Sequence, residues 1–259
     1  MKTIALITDF GYTDNFVGVV KGVILKNSSG VNIIDITHNV SSHNIQEGAF
    51  ILLKSYRFFP EKTVFLAVVD PGVGTKRRIL AIKTNNYYFI GPDNGILYPA
   101  VKDDTIKAAV YLRRQKGNNI SLTFHGRDIF APLAAKLAES EKTIFRGKKV
   151  NRITPLNFPR PRLRRRSIIG NILYVDKFGN IVTNITKKDL DKINNGGFVA
   201  RLNNKTIKKL YRTYSEAPSM QPFFIEGSFG YLEISLSGKS ARDYFGLKNS
   251  DKIIILRKV

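Results

Sequence analysis

No cysteine occurs among the 259 residues, and there are only three histidines. The first absence excludes disulfides, thiolate nucleophiles and cysteine-held metal, and the second leaves little for a histidine-rich metal centre. No metal site and no redox cofactor are therefore expected. No segment approaches the roughly eighteen uninterrupted apolar residues of a membrane span. The amino terminus meets Asp9 before a signal-like core could form, so a cytoplasmic protein without membrane partners is expected. The P-loop and the double-glycine dinucleotide pattern are both missing, as is any internal repeat. Acidic residues are scarce, 20 against 42 lysines and arginines, which gives a net charge of +22. Such a charge favours a polyanionic partner when it is focused on one surface. Here only Arg160-Pro161-Arg162-Leu163-Arg164-Arg165-Arg166 forms a cluster, and no aromatic-interleaved recognition pattern accompanies it.

What the chain does have is enough apolar residue, 43%, for a real core. It is organised around Val68-Val69-Asp70-Pro71-Gly72-Val73-Gly74-Thr75-Lys76-Arg77-Arg78. The preceding run, Val64 to Val69, is continuously apolar rather than alternating, which predicts a strand buried on both faces of an α/β sheet. Asp70 then sits at that strand's carboxyl end, the edge at which open α/β sheets bind ligands. Taken alone, Asp-Pro-Gly reads as a capping acid in a tight turn. Two other stretches share its grammar, however. Thr3 to Thr8 delivers Asp9, and Ile120 to Phe124 delivers His125, each followed by a helical pattern. If the three strands run parallel in one sheet, Asp9, Asp70 and His125 converge as a catalytic cluster would.

Elsewhere, Phe16, Val19, Val20, Val23 and Ile24 recur at helical spacing, with Thr13 or Asp14 available as the cap. Gly18 and Gly22 are expected to allow close helix-to-sheet packing. Asn44 and Glu47 have capping-box spacing ahead of Ala49, Leu52 and Leu53. Two apolar runs flank Asn85-Asn86 as in a hairpin, so the sheet is expected to be mixed. Residues 1–155 are expected to form an α/β domain with a mixed, largely parallel sheet. The proline- and arginine-rich residues 156–167 read as a linker. Short strands joined by tight turns over residues 168–259 predict a small all-β, barrel-like domain.

Asp9-Phe10-Gly11 through Asp14, Asp70-Pro71-Gly72-Val73-Gly74-Thr75 with Arg77, Gly91-Pro92-Asp93-Asn94-Gly95, Thr123-Phe124-His125-Gly126-Arg127-Asp128, and Asp176 to Asn180 with Thr183-Asn184 together form a pattern. It resembles the S-adenosylmethionine hydrolases, also called S-adenosyl-L-methionine hydroxide adenosyltransferases, which are related to adenosyl fluoride and chloride synthases. The resemblance covers nearly the whole chain. It implies hydrolysis of S-adenosylmethionine to adenosine and methionine with no cofactor, by a homotrimer whose sites lie between subunits. It implies Asp70, Arg77 and His125 as the catalytic group, with Arg78 the adjacent competitor for the arginine role. It further implies Asp9 on the ribose hydroxyls with Asp14 close by, Asp176 on the methionine amine and Asn180 on the adenine. Ser228 would meet the methionine carboxylate or the adenosine, with Glu233 in the same hairpin. His43 occupies a loop that carries a stacking aromatic in relatives, and His38 reads as structural. Gly227 departs from the asparagine expected before Ser228.

The chemistry of the residues agrees with that implication. A sulfonium leaving group departs as a neutral thioether and needs no acid, so what the site must supply is a positioned water. Two alternatives compete. A halide could attack the same carbon, although an ionised Asp70 would repel it, and the halogenating relatives carry tyrosines at the places of Asp70 and His125. A basic nucleic-acid-binding protein with a vestigial pocket would instead bind polyanions with strong salt dependence.

Overall fold

Apolar runs that must be covered on both sides form the middle of the first sheet. In the computed structural model, which describes residues 2–112, 120–194, 196–247 and 252–257, the chain divides into two units, Met1–Asn157 and Phe158–Val259. The first opens with β1 (Lys2–Thr8), α1 (Phe16–Asn27), β2 (Val31–Thr37), α2 (Ile45–Ser55) and β3 (Val64–Val68). Every residue of β3 is buried, as its unbroken apolar sequence predicts. β1 pairs in parallel with β2 and with β3, so Thr8 and Val68 lie side by side at the carboxyl edge. β4 (Ile79–Thr84) and β5 (Tyr88–Pro92) form the expected hairpin across Asn85-Asn86, with Lys83 opposite Tyr88. Next come α3 (Tyr98–Asp103), β6 (Ile106–Leu112), a π-helical turn (Gly126–Phe130), α4 (Ala131–Glu139), the single turn α5 (Glu141–Ile144) and β7 (Lys148–Lys149). The sheet order is β2-β1-β3-β5-β4-β6-β7, parallel from β2 to β5 and antiparallel beyond, so the unit is mixed α/β.

Ile4, Leu6, Leu66 and Val68 point to one face of this sheet and pack with Val20 and Ile24 of α1 and Ala131, Ala134 and Leu137 of α4. Tyr56, Phe65, Tyr87 and Phe89 make a second, aromatic cluster. Three expectations need correction. Ile120–Phe124 is not a strand: Ser121 donates its backbone N–H to Asp128, and Thr123 donates its own to the Ser121 hydroxyl, so local side-chain bonds replace a sheet ladder. Neither Thr13 nor Asp14 caps α1; the cap position is Asn15, and its side chain makes no capping bond. A Cβ at Gly18 or Gly22 would meet nothing within 4 Å, so neither glycine is required by packing within the chain.

The second unit is β-rich. Its elements are β8 (Arg162–Arg164), β9 (Ser167–Val175), β10 (Ile181–Thr183), α6 (Lys187–Asp191), β11 (Phe198–Leu202), β12 (Lys205–Ile207), β13 (Leu210–Tyr211), β14 (Pro222–Glu226), β15 (Leu232–Leu236), α7 (Ala241–Phe245) and β16 (Lys252–Arg257). Arg162–Arg164 falls in the stretch expected to be linker, yet it pairs with β9. The first half of β9 pairs with β16 and its second half with β10, so this one strand joins both parts of the sheet. Thr186 and Asp189 form a capping box on α6, and the Ser240 hydroxyl caps α7. Ile168, Ile181, Phe224, Ile234, Phe245 and Ile255 lie in its core.

Candidate functional site

Asp9 directly follows β1, and Asp70 follows β3 by two residues, so the parallel pairing puts both acids at one edge. The Asp70 loop is held from several sides. The Asn94 side-chain amide donates to the Val69 carbonyl at 2.7 Å, and the Thr75 hydroxyl donates to the Gly72 carbonyl at 2.7 Å. Gly74 has φ +83°, and a Cβ there would lie 2.9 Å from the Leu122 carbonyl oxygen. This glycine lets the Asp70 loop lie against the segment that leads to His125.

The turn brings Arg77 back onto Asp70. Its Nε lies 2.8 Å from each Asp70 carboxylate oxygen, and its Nη2 also bonds Asp70 Oδ2. The same Nη2 is 2.8 Å from His125 Nδ1. A guanidinium only donates, so His125 Nδ1 is the acceptor and the ring N–H belongs to Nε2. The guanidinium lies 5.2 Å from the Phe130 ring centroid, and all three side chains are buried. Nη1 of Arg77 is buried with no hydrogen-bond partner among the described residues. Arg78, the competitor, is committed elsewhere: its Nε donates to Asp93 at 2.6 Å and its Nη2 to the Arg152 carbonyl at 2.7 Å.

His125 immediately precedes the π-helical turn. A Cβ on Gly126 would lie 3.1 Å from the Phe10 ring, which packs with Phe16 and Phe124 in an edge-to-face trio. A cavity of about 250 Å³ opens here, lined by Asp9, Phe16, His43, Asp70, Phe124 and His125 among others. Asp9 Oδ2 accepts the His43 backbone N–H at 2.9 Å, and its Oδ1 has no protein partner among the described residues. His43 holds φ +65° and is exposed. Asp14 is exposed and does not line the cavity. Among the described residues no group of three or more histidines and carboxylates is arranged to hold a metal ion, and no helix is long and apolar enough to cross a membrane.

In the second unit, Asp176 builds its own turn. Oδ1 accepts the backbone N–H groups of Phe178 and Asn180 at 2.9 and 2.8 Å, and Oδ2 accepts the Asn180 side-chain amide at 2.8 Å. A groove beside it is lined by Asp176, Phe178, Asn180, Tyr214 and Ser240. Glu233, on β15, is buried; its Oε2 accepts the Tyr214 hydroxyl at 3.3 Å. Burial pushes the Glu233 carboxyl above its usual range, the Tyr214 bond opposes this and nearby Asp176 adds to it. A Cβ at Gly227 would fall 1.7 Å from Glu233 Oε1, so the glycine that departs from the expected asparagine is the one residue that leaves room for this carboxylate. Ser228 stands exposed on the adjoining turn. Nothing in the sequence marks Tyr214, a lone tyrosine between threonine and serine.

The geometry thus groups Asp9, Asp70, Arg77 and His125 in the first unit and Asp176, Asn180 and Glu233 in the second. A curated protein of Thermus thermophilus named (R)-S-adenosyl-L-methionine hydrolase is 32% identical over 265 residues, covering 99% of this chain and 100% of its own. A protein of Actinoplanes named fluorinase is 28% identical over 223 residues, 73% of each chain. The crystal structure of an uncharacterized conserved protein from Thermotoga maritima superposes with a TM-score of 0.89 at 32% identity, covering 98% of this chain and 100% of that one. The SAM hydroxide adenosyltransferase N-terminal domain matches residues 4–144 and the corresponding C-terminal domain matches residues 170–254, and the chain belongs to this family.

Proposed function

We propose that the protein hydrolyses S-adenosyl-L-methionine to adenosine and L-methionine. The observation that carries this reading is the buried Asp70–Arg77–His125 cluster on the wall of a cavity that Asp9 also lines. A water oxygen forms a bond to the ribose 5′ carbon while the carbon–sulfur bond breaks. Its electron pair passes to the sulfonium, which leaves as the neutral thioether of methionine, and one proton is released. Arg77 fixes Asp70 and His125 together, and the His125 ring, with its proton on Nε2, would orient the water. Asp9, with a free carboxylate oxygen, suits a vicinal diol, whereas the exposed Asp14 lies outside the cavity lining. Asp176 has accepted three hydrogen bonds, which leaves one acceptor site for the methionine amine. Asn180 would meet the adenine and Ser228 the methionine carboxylate or the adenosine, while Glu233, which accepts the Tyr214 hydroxyl at 3.3 Å and faces no cation in its own unit among the described residues, would gain from a cationic substrate.

Purified protein incubated with S-adenosylmethionine and no added metal should yield adenosine and methionine in equal amounts by chromatography, with or without a chelator. Release of adenine or homocysteine would overturn the reaction, and loss of activity in the chelator would overturn the metal-free part. The kinship to a fluorinase gives a second reading some ground, because Asp70 is paired with Arg77 and its charge is not left to repel a halide. Against it stands the family resemblance, which implies tyrosines in the halogenating enzymes at the places of Asp70 and His125. Appearance of 5′-chloro-5′-deoxyadenosine in place of adenosine in chloride buffer would favour that reading.

We also read the second unit as a small barrel, and the protein as a cytoplasmic homotrimer whose sites take first-unit residues from one subunit and second-unit residues from its neighbour. The family resemblance supports this. Co-assembled Asp70→Ala and Asp176→Ala chains should then regain activity that neither has alone. Verified mixed assemblies as inactive as both parents would overturn it.

A further inference from the structure

A second hydrogen-bonded chain lies behind Asp9, made of residues that the reaction does not use. His38 is buried, with Nδ1 2.7 Å from the Thr8 hydroxyl. Its Nε2 stands 3.1 Å from Asp35 Oδ1, close without the alignment of a full hydrogen bond, and neither atom has another partner among the described residues. Asp35 Oδ2 in turn accepts Lys21 Nζ at 2.6 Å and the Tyr12 hydroxyl at 3.3 Å, and the Tyr12 ring lies edge-on to His38. Three segments meet on this one imidazole, with Thr8 ending β1, Tyr12 in the following loop and Asp35 on β2, and Lys21 of α1 joins them through Asp35.

The backbone around Asp9 is tied to the same segment. Gly11 donates its N–H to the His38 carbonyl at 2.7 Å, Val40 donates to the Thr8 carbonyl at 3.4 Å, and Phe10 donates to the Thr8 hydroxyl oxygen at 3.2 Å. The Thr8 oxygen accepts from Phe10, which leaves its proton free to go to His38 Nδ1; the ring N–H then points to Asp35. Burial holds the His38 ring below the usual histidine range, Asp35 opposes that and Lys21 adds to it, so the imidazole keeps Nδ1 as an acceptor. Asp9 itself needs such support, because among the described residues its side chain is held by the His43 N–H alone.

We propose that His38 is a positioning residue for Asp9: through Thr8 it fixes the turn that presents the Asp9 carboxylate, and so sets the affinity for the ribose diol of the nucleoside. This rests on the reading of Asp9 as the acid that holds the ribose hydroxyls. A carboxylate displaced by an ångström loses much of a paired hydrogen-bond geometry, so an effect of about tenfold or more on binding is expected.

The test is adenosine binding to the full chain by titration calorimetry, with steady-state kinetics alongside. His38→Ala should weaken adenosine binding by about tenfold and raise KM by a similar factor, with a smaller change in kcat. Thr8→Val, nearly equal in shape, should do the same and serves if His38→Ala fails to fold. His38→Asn, whose amide can stand near the Nδ1 position and meet the Thr8 hydroxyl, should restore most of the affinity. In an Asp9→Asn background, His38→Ala should have less than about a twofold further effect, because both changes remove one interaction. Wild-type affinity in both His38→Ala and Thr8→Val, or losses that simply add to that of Asp9→Asn, would overturn the inference while leaving the role of Asp9 standing. Wild-type affinity in Asp9→Asn alone would overturn the role of Asp9, and the inference with it.

Discussion

Asp70 in the first unit and Glu233 in the second are both buried acids, and the chain compensates them differently. Asp70 is met by a guanidinium that reaches both of its oxygens and extends to His125. Glu233 is met by one tyrosine hydroxyl at 3.3 Å, with Asp176 near enough to work against it. A buried charge with a matched counter-charge is a fixed electrostatic tool, whereas one without it is an unfinished interaction that a cation can complete. The difference also appears in the backbone. The Asp70 loop is built around its acid, while the Gly227 turn is emptied to admit one.

The comparison can be broken most decisively at the first acid. Asp70→Ala and His125→Ala should each lower kcat by roughly two to four orders of magnitude, with far smaller changes in adenosine binding. Near-normal turnover in both would dissolve the distinction between a working and an unfinished site. Next in size is stability. Arg77→Met leaves the Asp70 carboxylate buried and alone, which should cost about 3–5 kcal/mol in denaturant unfolding. The Asp70→Leu/Arg77→Met double variant should recover most of that, and if it is as unstable as the single variant, the pair is not the cause.

Smaller effects sharpen the other side. Gly227→Ala should destabilise by about 1–3 kcal/mol, because the new methyl meets the Glu233 carboxylate head on. In a Glu233→Ala chain the same change should cost little. The least effect concerns pH. The folded state holds the Glu233 proton more tightly than the unfolded chain, whose value is near 4.5. That stabilisation is complete below the unfolded value and is lost as pH rises through the raised one. The Tm of Glu233→Gln should therefore gain on wild type as pH increases across that window and run parallel to it below. A constant difference would mean that Glu233 is compensated after all.

Much of the first unit was legible because its signals are local. Unbroken apolar runs mark β1 and β3, Asn85-Asn86 marks the hairpin, and an acid at the end of a buried strand marks the edge where Asp9 and Asp70 meet. Ile120–Phe124 misled for the same reason: its alternation is real, but the Ser121 hydroxyl takes the Thr123 backbone N–H and pairs with the Thr123 hydroxyl. The choice of Arg77 over Arg78 came from family likeness and has its physical ground in Asp93, a partner for Arg78 fifteen positions away in sequence. Gly227 and Glu233 face each other only because Glu226 pairs with Leu232, a register that neither residue announces. His38 reads as structural in the sequence, since a lone histidine after a strand does not reveal that Thr8 and Asp35 close in on its two nitrogens.

The π-helical turn after His125 has a bearing on how this protein can change over time. Gly126 accepts from the N–H of Ala131, five residues on, so the helix carries one residue more than a regular α-helical turn would hold. Each residue of an α-helix advances the chain by about 100° around its axis. Loss of one residue between Gly126 and Phe130 would let the helix close up regularly with α4 undisturbed, and would swing His125 by about that angle away from Arg77. The fold would survive such a deletion far better than the chemistry, so at this point the length of the chain, more than the identity of its residues, is what descent must conserve.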